Sequence, residues 1–268
     1  MSLSLRTVPA RQGALWMRDG FRLFSKHPLA FSLMFVVFMS AAVIGSAVPL
    51  LGGAVVLGAV PLLGLGFMIA SESALNNGPI HPGHFIAPFR GDARRRRAQL
   101  VLCAAFGVST VGVMLLAHWV DDGAFGELQK LMAEQAPAAE IDALLADPRF
   151  FNGLLVRFGL AGLLSIPFWH APALVHWGGQ GPAQALFSST LAVWRNKGAF
   201  VVYLLSWLGI ILLFGTFAAL AFGLLGMRQM AGLVALPAGL IFSTVFYVSL
   251  LFTFTDSFGG TGMRPPPP

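Results

Sequence analysis

Apolar residues run along this chain in six long blocks, at about 29–50, 53–75, 98–120, 153–177, 199–223 and 231–255. A hydrocarbon core of about 30 Å needs about 20 apolar residues in helical form, so each block predicts a membrane span. The first two spans turn near Pro49-Leu50-Leu51-Gly52-Gly53 and the last two at Gly226-Met227-Arg228-Gln229, so both pairs read as hairpins. The first block follows a basic leader of about 28 residues. It is longer than the roughly 7–15 apolar residues of a cleavable signal, so it reads as an uncleaved anchor.

Between the blocks the polar pattern changes period. Over residues 11–26, Arg11, Arg18, Arg22, Ser25 and Lys26 share one helical face with Asp19, opposite Trp16, Met17, Phe21, Leu23 and Phe24. This predicts a helix lying in the membrane interface, stopped by Pro28. A second such helix follows Gly181-Pro182, with Leu186, Phe187, Leu191 and Trp194 against Gln184, Ser188, Arg195 and Asn196. Residues 84–97 are a weaker third case. The loop from Asp121 to Asn152 reads as two short helices, around Phe125–Met132 and Ile141–Leu145, forming a lid on the bundle.

Composition agrees with a fold class that is all-α, a polytopic six-span bundle. Of 268 residues, 56% are apolar and 10% charged, and the mean hydropathy is +0.76. An ordinary soluble domain, a disordered chain and a disulfide-rich module are excluded. The +6 net charge is unevenly spread, with 13 of 17 basic residues on one side of a six-span layout. They are Arg6, Arg11, Arg18, Arg22, Lys26, Arg90, Arg94, Arg95, Arg96, Arg97, Arg195, Lys197 and Arg264. The positive-inside rule puts that side, and both termini, in the cytoplasm. The 121–152 loop is acidic and falls on the periplasmic side. A basic run abutting a span reads as an anchor to anionic head groups, not as a nucleic-acid site. Arg11, Arg18, Arg22, Arg94–Arg97, Arg195 and Lys197 are therefore the expected head-group contacts, and membrane lipids the expected partners, with a homo-oligomer allowed.

The chain divides into a 1–28 segment with its interfacial helix, a 29–256 membrane domain and a 257–268 Pro-rich tail. Interfacial helix, basic cluster, span and span recur three times, at about 11–75, 79–177 and 182–256. The pattern reads either as three parallel repeats or as the ordinary punctuation of helical hairpins. Two further features carry a resemblance. Span 4 ends Pro167-Phe168-Trp169-His170-Ala171-Pro172-Ala173-Leu174, and the following Gly-Pro helix ends Trp194-Arg195-Asn196-Lys197. In these the chain resembles an uncharacterised family of six-span inner-membrane proteins typical of beta-proteobacteria. More distantly it is similar to the membrane domain attached to some glycerophosphodiester phosphodiesterases. The resemblance implies a multipass protein of unknown activity and no catalytic residues.

Ionisable groups inside spans are costly and are functional candidates. His118, Arg157 and His176 lie near span ends, where snorkelling resolves the cost. Glu72 and Asp256 sit between hydroxyls, as Ser71-Glu72-Ser73 and Thr255-Asp256-Ser257, which are expected to supply donors. His170 lies deeper, between Pro167 and Pro172. Two readings follow. Glu72, His170 and Asp256 line a cytoplasm-facing polar cavity that moves a proton, ion or solute, or they are satisfied polar groups holding the bundle together. The chain carries no Walker loop, nucleophile elbow, H-E-x-x-H or CxxC. The lone Cys103 reads as a small hydrophobe, and His81 and His84 lack a third metal ligand in sequence. No cofactor and no metal are implied, and the expected role is a non-catalytic envelope protein that binds lipid or protein partners.

Overall fold

A computed structural model describes residues 3–48 and 52–259, with only the backbone for 228–231. The Pro49–Leu51 part of the first turn, Arg264 and the Pro-rich tail lie outside the described residues. The elements are α1 (Gln12–Lys26), α2 (Pro28–Ser46), α3 (Gly52–Leu75), two 3-10 turns (Pro82–Phe85 and Ala87–Phe89), α4 (Ala93–Asp121), α5 (Ala124–Ala133), α6 (Ala138–Leu145), α7 (Pro148–Phe168), α8 (Ala171–His176), α9 (Pro182–Arg195), α10 (Lys197–Leu224) and α11 (Arg228–Phe258). Six segments are long and apolar enough to cross a membrane: α2, α3, α4, α7 with α8, α10, and α11 from Gly232. The fold is thus the expected all-α polytopic bundle.

Local chemistry sets the boundaries. Pro28, Pro148 and Pro182 open α2, α7 and α9, where a missing N–H costs nothing. Asp92 caps α4 by accepting from the Arg95 N–H at 2.8 Å, and Asp147 caps α7 by accepting from the Arg149 N–H at 2.8 Å. The chain leaves α4 through Asp122 and Gly123, both left-handed, at φ 48° and 83°.

The residues 3–9 are laced to the other end of the chain. Ser4 and Arg6 donate backbone N–H groups to the carbonyls of Phe258 and Ser257 at 3.0 and 2.8 Å. Asn196, between α9 and α10, accepts from the Val8 N–H at 2.8 Å and donates to the Arg6 carbonyl at 3.0 Å. Both described ends of the chain therefore lie at one end of the bundle, together with the clusters at Arg94–Arg97, Arg195 and Lys197. We call it the basic end.

The amphipathic helix at 12–26 forms, but its apolar face meets protein instead of lipid. Trp16, Leu23 and Phe24 are buried, and α1 packs along α10 and α11. Its Phe21 stacks on Trp207, 10 residues into α10, so the two helices run together for about 15 Å. Two glycines make this possible. A Cβ on Gly13 would stand 2.0 Å from the Ala199 carbonyl oxygen, and one on Gly20 2.6 Å from the Ser249 Cβ. Residues 3–28 thus pack as part of the bundle. Arg11, Arg18 and Arg22 stay exposed on its outer face.

The three hairpin units interlock in a ring. The α1 helix of the first unit lies on α10 and α11 of the third; the Pro82–Phe85 turn of the second lies on α3 and α2 of the first; α9 of the third lies on α7 and α8 of the second. Each surface element thus closes over the hairpin of the preceding unit. The second spans of the units, α3, α7–α8 and α11, meet at the centre through Leu65, Met68, Leu174, Leu251 and Phe254.

Burial is uneven along the spans. At the basic end, α3 from Leu63, α8, and α11 from Val245 are largely buried. Toward the other end, Val43, Ile44, Leu212, Leu213, Phe217, Leu220 and Leu236 are exposed. Lipid tails solvate such side chains as well as protein does, so nothing drives those halves together. The acidic loop forms α5 and α6, which share a small core of Ala124, Leu144 and Phe150 and rest on α4 and α7. It covers that hairpin and not the bundle as a whole.

Substituting Gly13→Leu or Gly20→Val drives the new side chain into Ala199 or Ser249. Each is expected to destabilise the α1 contact by about 1–3 kcal/mol, read as a lower Tm and faster proteolysis before Pro28. Gly209→Ala and Gly215→Ala, where an added Cβ meets nothing within 4 Å, leave both readouts unchanged.

Candidate functional site

The candidate groups all sit near the basic end, where the three central spans converge. The fourth span breaks between α7 and α8 at Trp169-His170, flanked by Pro167 and Pro172. At the break the His170 N–H donates to Ser189 Oγ at 3.0 Å, and Ser189 Oγ donates to the Ile166 carbonyl at 3.0 Å. One hydroxyl from α9 thus stands in for the missing i→i−4 bond between His170 and Ile166. Gln99 of α4 donates its amide to the Pro172 carbonyl at 2.8 Å. Non-helical backbone at this depth is tolerated because protein groups satisfy it.

The His170 ring is completely buried, at 0% exposure. Its Nε2 lies 3.1 Å from Thr253 Oγ1 on α11, which also accepts from the Trp169 indole at 3.3 Å and donates to the Leu250 carbonyl at 2.8 Å. A hydroxyl has one proton, and Leu250 takes it, so the network assigns Nε2 as the protonated nitrogen of His170. The rings of Phe200, Phe254 and Phe258 surround the imidazole at 5.4–5.9 Å. Nearby, the Tyr203 hydroxyl meets Ser249 Oγ at 2.6 Å.

Asp256 has different partners. Its Oδ2 accepts from Gln12 Nε2 at 2.6 Å and from the Trp16 indole at 2.8 Å. The carboxylate therefore fixes α1 on α11. It borders a cavity of about 320 Å³ lined also by Arg6, Thr7, Val8, Gln12, Thr255 and Gly259. Glu72 is half-buried and lies beside the Trp177 indole, which donates toward it. The flanking hydroxyls do not serve the carboxylates as the sequence suggests. Ser71 donates to the Val248 carbonyl, Ser73 to Pro79 and Thr255 to Phe252. These three hydroxyls find a backbone carbonyl first, and the carboxylates take indole and amide donors from other elements.

The described hydrogen bonds join Glu72, His170 and Asp256 into no common network. His170 sits in an aromatic cage, Asp256 at the α1 contact, and Glu72 at Trp177. An apolar cleft of about 180 Å³ lies close to the break, lined by Pro61, Gly64, Phe106, Trp169, Pro172 and Tyr247 among others. His81 and His84 stack at 4.3 Å, with His84 Nε2 held at 3.1 Å by the Pro79 carbonyl. Burial, and then the neighbouring His81, push the His84 pKa down, while the Pro79 contact opposes them. Among the described residues no group of three metal-ligating side chains occurs.

At the acidic end Arg157 does not snorkel. It pairs at 3.3 Å with Asp121, whose side chain is 1% exposed, and its guanidinium lies 4.0 Å from the Phe125 ring centre. Gly153 gives Asp121 the room to approach. Asp147, at the start of α7, has its pKa lowered by the Arg149 side chain and N–H.

Ser189, Thr253, Gln12 and Asn196 carry much of this region and were not legible as site residues. Only the small face Ala185-Ser189-Ala192-Asn196, at helical spacing, signals that α9 presses against protein. Its large residues Phe187 and Trp194 stay exposed, at 68% and 69%, as a surface helix facing lipid requires.

A curated relative covers nearly the whole chain. It is 30% identical to a probable inner membrane protein of Burkholderia thailandensis, over 263 residues that span 96% of this chain and 94% of the relative. The chain belongs to that family of inner-membrane proteins. No family model and no solved structure matches it. The family, with six apolar helices, makes this a multipass inner-membrane protein.

Ser189→Ala leaves the His170 N–H unpaired inside the protein and the Ile166 carbonyl with only the Trp169 N–H at 3.4 Å. It is expected to lower stability by about 1–3 kcal/mol, measured as a fall in Tm in detergent. Thr190→Ala, which loses only a bond to the Leu186 carbonyl on the exposed side, changes Tm little.

Proposed function

We propose that the protein is a non-catalytic envelope protein that binds lipid or protein partners at its basic end, with that end and both termini in the cytoplasm. The observation that carries this reading is the packed centre where α3, α8 and α11 meet. His170 is sealed among Phe200, Phe254 and Phe258, while Asp256 and Glu72 are held by tryptophans. Groups fixed in this way hold helices together. The exposed Arg11, Arg18, Arg22, Arg94–Arg97, Arg195 and Lys197 then offer a surface to anionic lipid.

A second reading keeps one supporting observation. Asp256 borders a 320 Å³ cavity with Arg6 and Gln12, which suits a transporter of a small solute, ion or lipid. Proteoliposomes separate the two. The binding reading expects proton and ion flux equal to that of empty vesicles. Flux above that level, lost in Glu72→Gln/His170→Asn/Asp256→Asn, would establish transport instead. For orientation, a Cys103→Ala background is used. Cysteine at Glu134 is expected to react with a membrane-impermeant maleimide in intact spheroplasts, and cysteine at Ser25 only after lysis. The reverse result would invert the topology.

A further inference from the structure

The basic end carries a cavity that the arguments above leave unused. It measures about 390 Å³ and lies between the first turns of α4 and the 179–182 turn before α9. Arg94, Arg95 and Arg97 form one wall, and Gly179, Gln180, Gly181 and Pro182 the other. Arg95 leans across it. Its Nε is 3.4 Å from Asp92 Oδ2, and its guanidinium comes within 4 Å of where a Cβ on Gly179 would stand. Gly179 has φ +64°, a conformation that disfavours other residues, so this wall stays low and open. Among the described residues, Arg94 and Arg97 have no carboxylate partner within ion-pair distance. Three arginines line the cavity and no acid does, with Asp92 paired to Arg95 beside it, so the lining is electropositive.

Its floor changes character. Ala98 and Val101 continue the lining along α4, and Leu100 and Val101 are 53% and 45% exposed. A guanidinium-walled cavity thus opens onto an apolar helix face, at the end of a span where head groups lie. An inorganic anion would match the arginines and leave the apolar stretch unused. A phospholipid matches both, because its phosphate is followed by acyl chains.

We propose that this cavity holds the phosphate of one anionic phospholipid, whose acyl chains run down α4 past Leu100 and Val101. The proposal rests on the lipid-binding reading above and names its site. Arg94 and Arg97 supply the charge, Arg95 the bridge between the two walls, and the glycine turn the room for the head group.

The test uses the full chain in nanodiscs of phosphatidylethanolamine with phosphatidylglycerol, followed by native mass spectrometry of the lipid retained after release. The wild-type protein is expected to keep one phosphatidylglycerol, and excess inorganic phosphate is expected not to displace it. Arg94→Ala/Arg97→Ala lowers retention about tenfold or more. Arg94→Lys/Arg97→Lys recovers part of it, which a misfolded chain could not do. Lys26→Ala/Arg90→Ala, with the same charge loss at exposed positions outside the cavity, keeps the wild-type level. Undiminished retention in Arg94→Ala/Arg97→Ala overturns the site. So does an equal loss in the Lys26/Arg90 variant, which would mean diffuse attraction while the lipid-binding reading stands. Displacement by inorganic phosphate would make the cavity a free-anion pocket and also overturn it. A wild-type protein that retains no lipid of either class removes the site and the lipid-binding reading together.

Discussion

A carboxylate near the end of a membrane span has to receive its hydrogen-bond donors from protein, and Asp256 receives them from α1. Gln12 and Trp16 both donate to the same Oδ2. That pairing holds a charged, amphipathic helix against two apolar spans. The glycines at 13 and 20 let the backbones approach until the hydrogen bonds form. The 3–9 segment then lies along the end of α11 and is clasped by Asn196. The first and last parts of the chain are thereby joined, and the ring of three hairpin units is closed.

The same constraint explains the fourth span. Its two prolines and the irregular Trp169-His170 pair would leave peptide groups unpaired in an apolar medium. Ser189 and Gln99 satisfy them from neighbouring helices. The break lets α8 turn into the centre, and it brings His170 to Thr253 and Trp177 to Phe254. Polar residues therefore concentrate at the basic end because the backbone and the carboxylates there need them. Away from that end the spans make fewer contacts, since lipid serves their side chains equally well.

Much of this was legible along the chain. Span number, the hairpins, the helices at 12–26 and 182–195 and the separation of basic from acidic ends all follow from local signals: run length, helical period, proline position and charge. Glu72, His170 and Asp256 also stood out as ionisable groups within apolar stretches of sequence. Their partners did not. Gln12 and Asp256 are 244 residues apart, and Ser189 reaches His170 from a helix that pattern alone laid in the membrane surface. The adjacent hydroxyls looked like natural donors to the carboxylates, but a serine or threonine in a helix reaches a preceding carbonyl more easily. Arg157 likewise looked like a snorkelling residue because its partner Asp121 belongs to the preceding span.

By itself, then, the sequence determined the membrane spans, their alternation and the uneven charge, because each depends on the energy of short stretches of chain in water or lipid. It left open which face of each amphipathic helix meets lipid and which meets protein, because a Trp/Phe/Leu face is stabilised by either. Only the tertiary structure decided that. It buried the aromatic face of α1 where the donors Gln12 and Trp16 meet Asp256, and left Phe187 and Trp194 of α9 outside, where the small face of that helix meets the broken span.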